Sequence, residues 1–325
     1  MTTTKAIVVR ELGGPEVLKI GEVEIAPPGP GEVQIRHAAI GLNFIDVYFR
    51  TGLYKTNLPF VPGKEAAGTV IAVGPGVTDF VVGDRVAYAG SDGAYCVERN
   101  VETRHLVKVP DAIGLDTAAA MMLKGMTAEY LLNRTYKVGP GTTILFHAAA
   151  GGVGLIAGQW AKALGATVIG TAGSPEKVAL ALAHGYDHVI NYREESFVER
   201  IKELTGGKGV DVVYDSVGRD TFPHSLDCLK TRGMWVSFGQ SSGAIEPFNM
   251  AILAQKGSLF ATRPTLFNYI ATPAELAACA NSLFDVVQSS KVRINIHQTY
   301  PLAEAARAHA DLEARKTSGT TLLIP

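Results

Sequence analysis

The stretch His147-Ala-Ala-Ala-Gly-Gly-Val-Gly154 decides the fold of this chain, because of the patterns on its two sides. The apolar residues 142–146 before it read as a strand, and residues 154–164 after it have a helical pattern. Small residues at the spacing of the G-x-G-x-x-G fingerprint, here with alanine first, let the backbone turn sharply and approach a pyrophosphate at a helix N-terminus. The stretch therefore predicts a dinucleotide-binding turn formed by Ala149, Gly151, Gly152, Val153 and Gly154.

The end of the second predicted strand indicates which dinucleotide binds. In NAD-binding folds an acidic residue about 20 positions beyond the glycines accepts a hydrogen bond from the ribose 2′-hydroxyl. Residues 171–174 are Thr-Ala-Gly-Ser, without a carboxylate, and Lys177 follows. A hydroxyl and an ammonium can hold a 2′-phosphate, so the sequence favours NADPH. A second interpretation, compatible with the first, makes Ser174 only a helix N-cap before Pro175 and Lys177 only a solvated side chain.

Composition excludes several classes of protein. The chain has 325 residues and a formal net charge of −1, which gives no electrostatic case for nucleic-acid or membrane partners. No segment approaches the roughly 18 apolar residues of a membrane span, and no signal peptide is recognisable, so we expect a soluble cytoplasmic protein. The cysteines, at positions 96, 228 and 279, are too far apart to indicate a disulfide framework or a metal motif.

The pattern of predicted elements divides the chain into two domains. Short β-rich segments, punctuated by Gly and Pro, predict a barrel-like all-β domain over residues 1–124, with strands at 5–9, 33–39, 68–73, 85–89, 94–98 and 106–109. Strands then alternate with helices such as 175–184 over residues 125–263, and this predicts a doubly wound parallel sheet of six strands at 142–148, 167–171, 188–192, 210–215, 233–238 and 258–262.

The last part of the chain, residues 264–325, has no partner in the nucleotide domain. Helices at 273–288 and 302–314 and a closing strand at 319–324 are predicted there. We expect the closing strand to return to the N-terminal β domain, so that residues 264–325 complete that domain. The substrate cleft would then lie between the two domains.

Several motifs in this order resemble those of the medium-chain dehydrogenase/reductase superfamily, and within it the zinc-free NADPH:quinone oxidoreductases related to zeta-crystallin, most closely the bacterial ones. The likeness covers essentially the whole chain. It rests on Gly13-Gly-Pro-Glu16, Gly41-Leu-Asn-Phe-Ile-Asp46, Gly52-Leu-Tyr54, Pro62-Gly-Lys-Glu-Ala-Ala-Gly68, Gly83-Asp-Arg-Val86, Leu123-Lys-Gly-Met-Thr127, the glycine turn and Val213-Tyr-Asp-Ser-Val-Gly218. The resemblance implies an α/β protein with a GroES-like β-barrel catalytic domain, a six-stranded Rossmann domain, and a homodimer paired through the sixth Rossmann strand.

The departures from the zinc-dependent relatives indicate a metal-free site. A catalytic zinc there needs Cys and His ligands, whereas this chain has Leu42-Asn43 in the region of the Cys and Gly63-Lys64-Glu65 in place of Gly-His-Glu. A structural zinc needs four cysteines, and residues 90–115 hold only Cys96. We therefore expect no zinc at either position. Without a Lewis acid, oxidation of unactivated alcohols is not expected.

The chemistry that remains possible without a metal is the reduction of an electron-poor acceptor by NADPH. The residues predicted to hold this acceptor lie in the β domain. Asn43 can donate an amide N–H, and Tyr54, with Tyr48, offers a hydroxyl and an aromatic face to a flat substrate. Thr127, in the loop entering the Rossmann domain, resembles the family residue near the nicotinamide. Asn43 as a local hydrogen-bonding residue and Tyr54 as a packing residue are the alternatives.

Nearby charged residues have no spacing that indicates catalysis. Asp46 and Glu65 read as structural polar contacts, and Lys64 either hydrogen-bonds in the vacated zinc site or is solvated. His147 reads as a packed, hydrogen-bonded residue.

The resemblance also assigns cofactor contacts beyond the glycine turn. It places Gly173, Ser174, Lys177 and Tyr192 at the adenosine phosphate and Asn43 and Thr127 near the nicotinamide. Phe238 and Phe260 could instead be ordinary core residues. The remaining residues that it assigns to the nucleotide are Ser216, Phe238, Gly239, Phe260, Thr262, Arg263 and Arg315.

The sequence therefore predicts a zinc-independent NADPH:quinone oxidoreductase whose partner is a small-molecule quinone. One alternative is an NADPH-dependent enone or alkenal reductase on the same scaffold. The other is a non-catalytic NADPH-binding protein with a structural, sensing or RNA-associated role.

Overall fold

The structure of the chain is a computed structural model that describes residues 2–325, and these residues form two compact units. The first unit comprises the chain up to Met126 together with Ile270–Gln288 and Ile294–Pro325. The second unit comprises Thr127–Tyr269 and Ser289–Arg293. No helix among the described residues is both long and apolar enough to cross a membrane.

The first unit is built mainly from antiparallel strands. Strands β1 and β2 form a separate pair, and the larger sheet has the order β14-β15-β3-β4-β5-β7, with β6 also pairing with β3. Only β14 and β15 run parallel in this unit as the structure describes it. The strands are β1 (Thr2–Val8), β2 (Lys19–Ile25), β3 (Glu32–Gly41), β4 (Glu65–Val73), β5 (Arg85–Ala89), β6 (Glu98–Glu102), β7 (Leu106–Lys108), β14 (Ile296–Pro301) and β15 (Thr320–Ile324).

Strand β3 shows why this sheet forms. Val33, Ile35 and His37 are buried, while Gln34 and Arg36 between them point to the other face, which is the period-2 pattern of a half-buried strand. The same core contains Tyr300, Leu302 and Leu323 from the end of the chain. Strand β15 pairs with β3, so the prediction that the closing strand returns to the N-terminal domain is confirmed.

Three α-helices lie within the first unit, and a fourth begins in it. Helix α1 (Phe44–Arg50) follows β3, α9 (Pro273–Gln288) starts at a proline, and α10 (Ala305–Glu313) follows a 3₁₀ turn. The boundary between the units falls inside helix α2 (Leu115–Tyr130), which continues into a π-helical turn at Leu131–Thr135.

The second unit is a parallel sheet with helical crossovers. Its strand order is β10-β9-β8-β11-β12-β13, which is the 3-2-1-4-5-6 order of the Rossmann fold. The predicted α/β class, with a six-stranded Rossmann sheet, is confirmed. The strands are β8 (Thr143–Phe146), β9 (Thr167–Ala172), β10 (His188–Asn191), β11 (Val210–Asp215), β12 (Leu229–Ser237) and β13 (Phe260–Thr262); the helices are α3 (Gly152–Ala163), α4 (Pro175–Leu182), α5 (Phe197–Leu204), α6 (His224–Asp227), α7 (Ala251–Gln255) and α8 (Leu266–Tyr269).

One predicted strand is wrong and several elements were not predicted. Residues 94–97 are not a strand, and β6 begins only at Glu98. The backbone turns tightly at Cys96, whose N–H bonds to the carbonyl of Ala94, and then bonds irregularly to β1 and β3. Helix α2 was missed because its residues 118–122 are all buried, so no polar face marks a helical period. Strands β2 and β14 and the seven-residue helix α1 were also missed.

Candidate active site

The glycine turn has the geometry that the fingerprint predicts. Gly151 is the N-cap of α3 and has no side chain to satisfy the first N–H groups of the helix, which remain able to meet an anion. A Cβ on Gly154 would lie 2.5 Å from the carbonyl oxygens of both Ala148 and Ala149, so only glycine fits there. The sharp turn itself is made by Ala148, which has a φ of 56°, rather than by a glycine.

A directional chain of hydrogen bonds lies beneath this turn. The His147 ring bonds to the Thr171 hydroxyl through Nδ1 at 3.0 Å and to the Ser225 hydroxyl through Nε2 at 3.1 Å. Because Ser225 donates to Asp215 Oδ2 at 2.8 Å, it accepts from His147, which therefore carries its proton on Nε2. Burial lowers the pKa of His147, so the ring is neutral. The chain joins the ends of strands β8, β9 and β11.

Asp215, at the end of this chain of hydrogen bonds, accepts several further hydrogen bonds. Its buried carboxylate accepts the backbone N–H groups of Val217 at 2.9 Å and Gly218 at 3.1 Å, and also the Thr221 hydroxyl. The indole N–H of Trp235 adds a longer bond at 3.4 Å. Hydrogen bonds from neutral donors thus hold the loop that carries Ser216, one of the predicted cofactor residues.

The predicted adenosine-phosphate residues lie together at the end of β9. A Cβ on Gly173 would lie 2.4 Å from the hydroxyl of Tyr192, so the phenol is packed against this glycine. Ser174 is the N-cap of α4 and accepts the N–H of Lys177 at 3.4 Å, so the capping interpretation of Ser174 is confirmed. Its hydroxyl donates to the exposed carboxylate of Glu176, which lowers the pKa of that carboxyl. Glu176, which no sequence pattern singled out, thus accepts from the Ser174 hydroxyl and from its own backbone N–H.

The other predicted nucleotide contacts separate into two groups. A Cβ on Gly239 would lie 2.8 Å from the carbonyl oxygen of Ser216, so these residues touch, and Phe238 donates its N–H to Asp215. Thr262 pairs with Val236 at the same carboxyl edge of the sheet. Phe260 lies two residues earlier in β13 and is 57% exposed, so its interpretation as a core residue is wrong.

The structure differs from the prediction at Thr127, and it places the two predicted arginines in different units. Thr127 lies inside helix α2 and is buried, not in a loop. Arg263 follows β13 in the second unit, whereas Arg315 follows α10 in the first unit and has a left-handed φ of 59°. The predicted set therefore does not belong to one unit.

In the first unit, both the backbone and the side chain of Asn43 are hydrogen-bonded. It is the N-cap of α1, and its backbone N–H donates to Asp46 Oδ2 at 3.0 Å. Its side-chain amide donates to Glu65 Oε2 at 2.8 Å and, more weakly, to the carbonyl of Gly41 at 3.3 Å. To donate to an acceptor molecule, this amide would have to exchange its longer bond with Gly41.

Glu65 connects Asn43 to a buried ion pair. Its Oε2 accepts from Lys124 Nζ at 2.8 Å, and its Oε1 accepts the backbone N–H of Leu123 at 2.7 Å. Both charged side chains are buried. A buried pair of this kind holds its elements in register, here β4 and α2, because either charge alone would be strongly unfavourable.

Asp46 begins a second buried chain, which leads to the C-terminal helix. Its Oδ2 accepts from the Tyr95 hydroxyl at 2.9 Å, and that hydroxyl oxygen accepts from His309 Nε2 at 3.0 Å. Arg50 donates to His309 Nδ1 at 3.3 Å and to Glu313 at 2.7 Å. Burial raises the pKa of Asp46 to about 7 and lowers the pKa of His309 to about 3. Asp46 and Glu65 thus both have structural contacts.

An aromatic cluster follows α1. The Tyr54 ring makes edge-on contacts with Tyr48 at 5.2 Å and Phe49 at 5.5 Å between ring centres. On the same Phe49 ring, Lys64 Nζ lies 4.5 Å from the centre, and Lys64 also forms an ion pair with Asp92. Tyr54 is half-buried.

The donor set of the first unit does not suit a metal. Lys64 is an ammonium, and the three donors around Glu65 use both of its oxygens. Among residues 2–325, no group of three or more His, Cys, Asp or Glu side chains is arranged to hold a metal ion.

The family of the chain follows from its relatives. The model of the alcohol dehydrogenase GroES-like domain matches residues 29–141, and that of the zinc-binding dehydrogenases matches residues 152–272. A quinone oxidoreductase of Pseudomonas aeruginosa is 54% identical over 323 residues, which cover 99% of each chain. The chain belongs to the quinone oxidoreductase family of the medium-chain dehydrogenases/reductases.

Two further relatives show the range of this family. The crystal structure of the Escherichia coli quinone oxidoreductase complexed with NADPH has a TM-score of 0.96 and 52% identity, and the match covers 100% of both chains. A 2-haloacrylate reductase of a Burkholderia species is 47% identical, and the match covers 98% of each chain.

Sequence reasoning missed the residues that come together from distant parts of the chain. Tyr95 and His309 are 214 positions apart and carry no motif, so no local pattern could have paired them. Asp215 lies inside the motif Val213-Tyr-Asp-Ser-Val-Gly218, and His147 begins the glycine turn. Their positions at the carboxyl ends of parallel strands could have indicated contact.

Proposed function

We propose that this chain is an NADPH-dependent quinone reductase that works without a metal. The observation that carries the proposal is that the chain combines a Rossmann phosphate turn with a first unit in which Glu65 is bonded to Asn43, Lys124 and the backbone of Leu123. The 54% identity to a quinone oxidoreductase over nearly the whole chain, and the NADPH complex of the E. coli relative, support it.

The residues of the second unit fit the cofactor. Gly154 leaves the close approach that a pyrophosphate needs, and the uncapped start of α3 offers N–H groups to it. Ser174, Lys177 and the phenol of Tyr192 surround the end of β9, where a 2′-phosphate would bind. When bound, NADPH supplies the hydride, and the protein supplies position and charge.

The first unit would position the acceptor. Tyr54 offers an aromatic face, and Asn43 is fixed by Glu65 and Asp46 so that its orientation is defined before substrate arrives. Such preorganisation lowers the entropy that must be lost on the way to the transition state. Thr127 is proposed to lie near the nicotinamide, as the family resemblance implies.

A second candidate activity is the reduction of activated alkenes. The relative at 47% identity is a 2-haloacrylate reductase, and an acrylate is an alkene conjugated to a carboxylate. The same metal-free delivery of hydride would serve a quinone or such an alkene, so the scaffold alone does not discriminate between them.

We also propose a homodimer that pairs through β13. This strand is the last in the order of the parallel sheet and has one neighbour there, β12, and Phe260 on it is exposed. An edge strand with an exposed aromatic residue is suited to pairing with a second copy. The cytoplasmic location stays a prediction.

Steady-state oxidation of NADPH with a panel of quinones and enones tests the activity. We expect turnover with quinones; turnover restricted to enones would favour the second candidate, and no turnover would contradict both. Tyr54→Ala and Asn43→Ala should lower kcat/KM for a neutral quinone by about 10- to 100-fold while leaving the Kd for NADPH nearly unchanged. Unchanged quinone kinetics in both variants would place the acceptor elsewhere.

Lys177→Ala tests the cofactor site. The loss of a charge-assisted hydrogen bond to the phosphate should weaken NADPH binding by about 10- to 150-fold and leave NADH binding nearly unchanged. Fluorescence titration with both nucleotides measures this. Equal losses for NADPH and NADH would remove Lys177 from the phosphate site.

A further inference from the structure

Lys64 is a buried cation that the proposed reaction does not use. Its residue is only 5% exposed, its Nζ lies 4.5 Å from the centre of the Phe49 ring, and it forms an ion pair with Asp92. The Asp92 side chain, in contrast, is 75% exposed. The pair therefore joins one desolvated charge to one well-hydrated charge.

This asymmetry makes the anionic partner of Lys64 exchangeable. A buried ammonium needs an anion nearby, because an uncompensated charge in a desolvated environment is strongly unfavourable. Asp92 loses little when another anion replaces it, since its carboxylate is already hydrated. It also lies in a loop between Gly90 and Gly93, both of which have a positive φ that favours glycine.

The other buried lysine of the first unit shows the opposite arrangement. The partner of Lys124 is Glu65, which is fully buried and accepts two further hydrogen bonds, from Asn43 and from the backbone of Leu123. Replacement of Glu65 by a ligand would break all of these contacts. Lys124 is thus bound to a fixed partner, whereas Lys64 is bound to one that can be replaced.

Lys64 lies on the same aromatic ring as the residue that is proposed to contact the acceptor. Phe49, on which the ammonium lies, is also in edge-on contact with Tyr54, the residue proposed to present an aromatic face to the acceptor. One aromatic ring therefore contacts both the cation and the proposed acceptor residue. Lys64 and Tyr54 are thus separated by a single side chain, that of Phe49.

We propose that Lys64 binds an anionic substituent of the acceptor, a carboxylate or sulfonate, in place of Asp92, and that the chain thereby favours anionic quinones or enones over neutral ones. This inference rests on the proposed function, because it requires that Tyr54 contacts the acceptor. It adds a substrate class and a specificity-determining pair of residues to that function.

The test compares a neutral acceptor, 1,4-naphthoquinone, with its 2-sulfonate. The measured quantity is the ratio of kcat/KM for the sulfonate to that for the parent quinone, so that differences in reactivity cancel between variants. Lys64→Met should lower this ratio by about tenfold or more, because the sulfonate loses a desolvated charged partner. Asp92→Asn should raise it about two- to fivefold by removal of a competing surface carboxylate.

Lys108→Met is a matched control. Lys108 Nζ also lies over an aromatic ring, 5.5 Å from the centre of Phe80, and bonds to Asp84 at 2.9 Å, but its side chain is 55% exposed. The ratio should not change in this variant.

An unchanged ratio in Lys64→Met overturns the inference. If that variant does not fold, Asp92→Asn decides alone, because the carboxylate that it removes is 75% exposed and water can take its place beside Lys64. An unchanged or lowered ratio there overturns the inference. Tyr54→Ala separates this failure from failure of the proposed function. If Tyr54→Ala leaves turnover of the parent quinone unchanged, the acceptor site itself is misplaced.

Discussion

The two units hold their buried carboxylates in different ways. Asp215 in the second unit is surrounded by neutral donors that lie within 20 positions of it in the chain, such as Val217 and Trp235. Glu65 in the first unit is neutralised by Lys124, 59 positions away, and shared with Asn43. Local donors fix one loop at the end of one strand, whereas the ion pair fixes two separate elements. Mutation of the two carboxylates should therefore have different consequences.

The largest effect is expected from Glu65→Gln. This change leaves the buried Lys124 ammonium without an anion, so the free energy of unfolding should fall by about 3–5 kcal/mol, as measured by urea denaturation. The double variant Glu65→Gln/Lys124→Met should recover at least half of this loss, because no buried charge remains unpaired. A double variant as unstable as the sum of the two single variants would show that the charge pair is not what matters.

Asp215→Asn should have a smaller effect, of about 3 kcal/mol. No cation is left unpaired, but the amide NH₂ would face N–H and hydroxyl donors in place of a carboxylate oxygen. The matched control is Asp220→Asn, whose exposed carboxylate pairs with Arg219 and should change stability by less than about 1 kcal/mol. A loss for Asp215→Asn that exceeds the loss for Glu65→Gln would reverse the comparison.

Asp46, a third buried carboxyl group, should make the stability of the chain depend on pH. Burial raises its folded-state pKa to about 7, so between about pH 4 and pH 7 the folded chain holds a proton that the unfolded chain has released. The free energy of unfolding therefore falls as the pH rises through this window, and the loss is complete above about pH 7. The Tyr95 hydroxyl and the charges of Lys64 and Lys124 oppose this shift.

Comparison with Asp46→Asn isolates this component. The buried His37 and His309, whose pKa values are lowered to about 4 and about 3, act in the opposite direction, since the unfolded chain takes up protons at those residues below about pH 6.5. The stability of the wild type minus that of the variant should fall by about 1.4 kcal/mol per pH unit between pH 5 and pH 6. A difference that does not vary with pH would mean that Asp46 is ionised in the folded chain.

The smallest effect is expected at the cofactor end of the second unit. Glu176→Gln removes the exposed carboxylate that accepts from Ser174, so NADPH should bind more tightly, by less than about fivefold, with no change for NADH. Glu199→Gln is the control, because Glu199 also lies in the first turn of a Ser-capped helix, α5. Weaker binding of NADPH to Glu176→Gln would show that the carboxylate supports the site.

The same comparison explains what could be predicted from the sequence. Most strands of the second unit could be predicted from the sequence, because a parallel sheet joins strand, turn and helix in chain order. The glycine turn was also predictable, since it is formed by eight consecutive residues. In the first unit, Asn43 could be named from a motif, but not its partners. Contacts such as Tyr95 with His309 depend on how distant strands and helices pack, and no local spacing reports that.

The place of β15 in the first unit has a consequence for synthesis on the ribosome. Leu322 and Leu323 pair with Gly41 and Ile40, so the large sheet of this unit lacks a strand until residues 320–324 have been translated. The second unit needs no residue beyond Arg293. The usual order, in which the N-terminal part of a nascent chain folds first, is therefore inverted. The β-rich first part of the chain keeps an unpaired strand edge while the second unit completes, and its large sheet closes only after residues 320–324 have been synthesised.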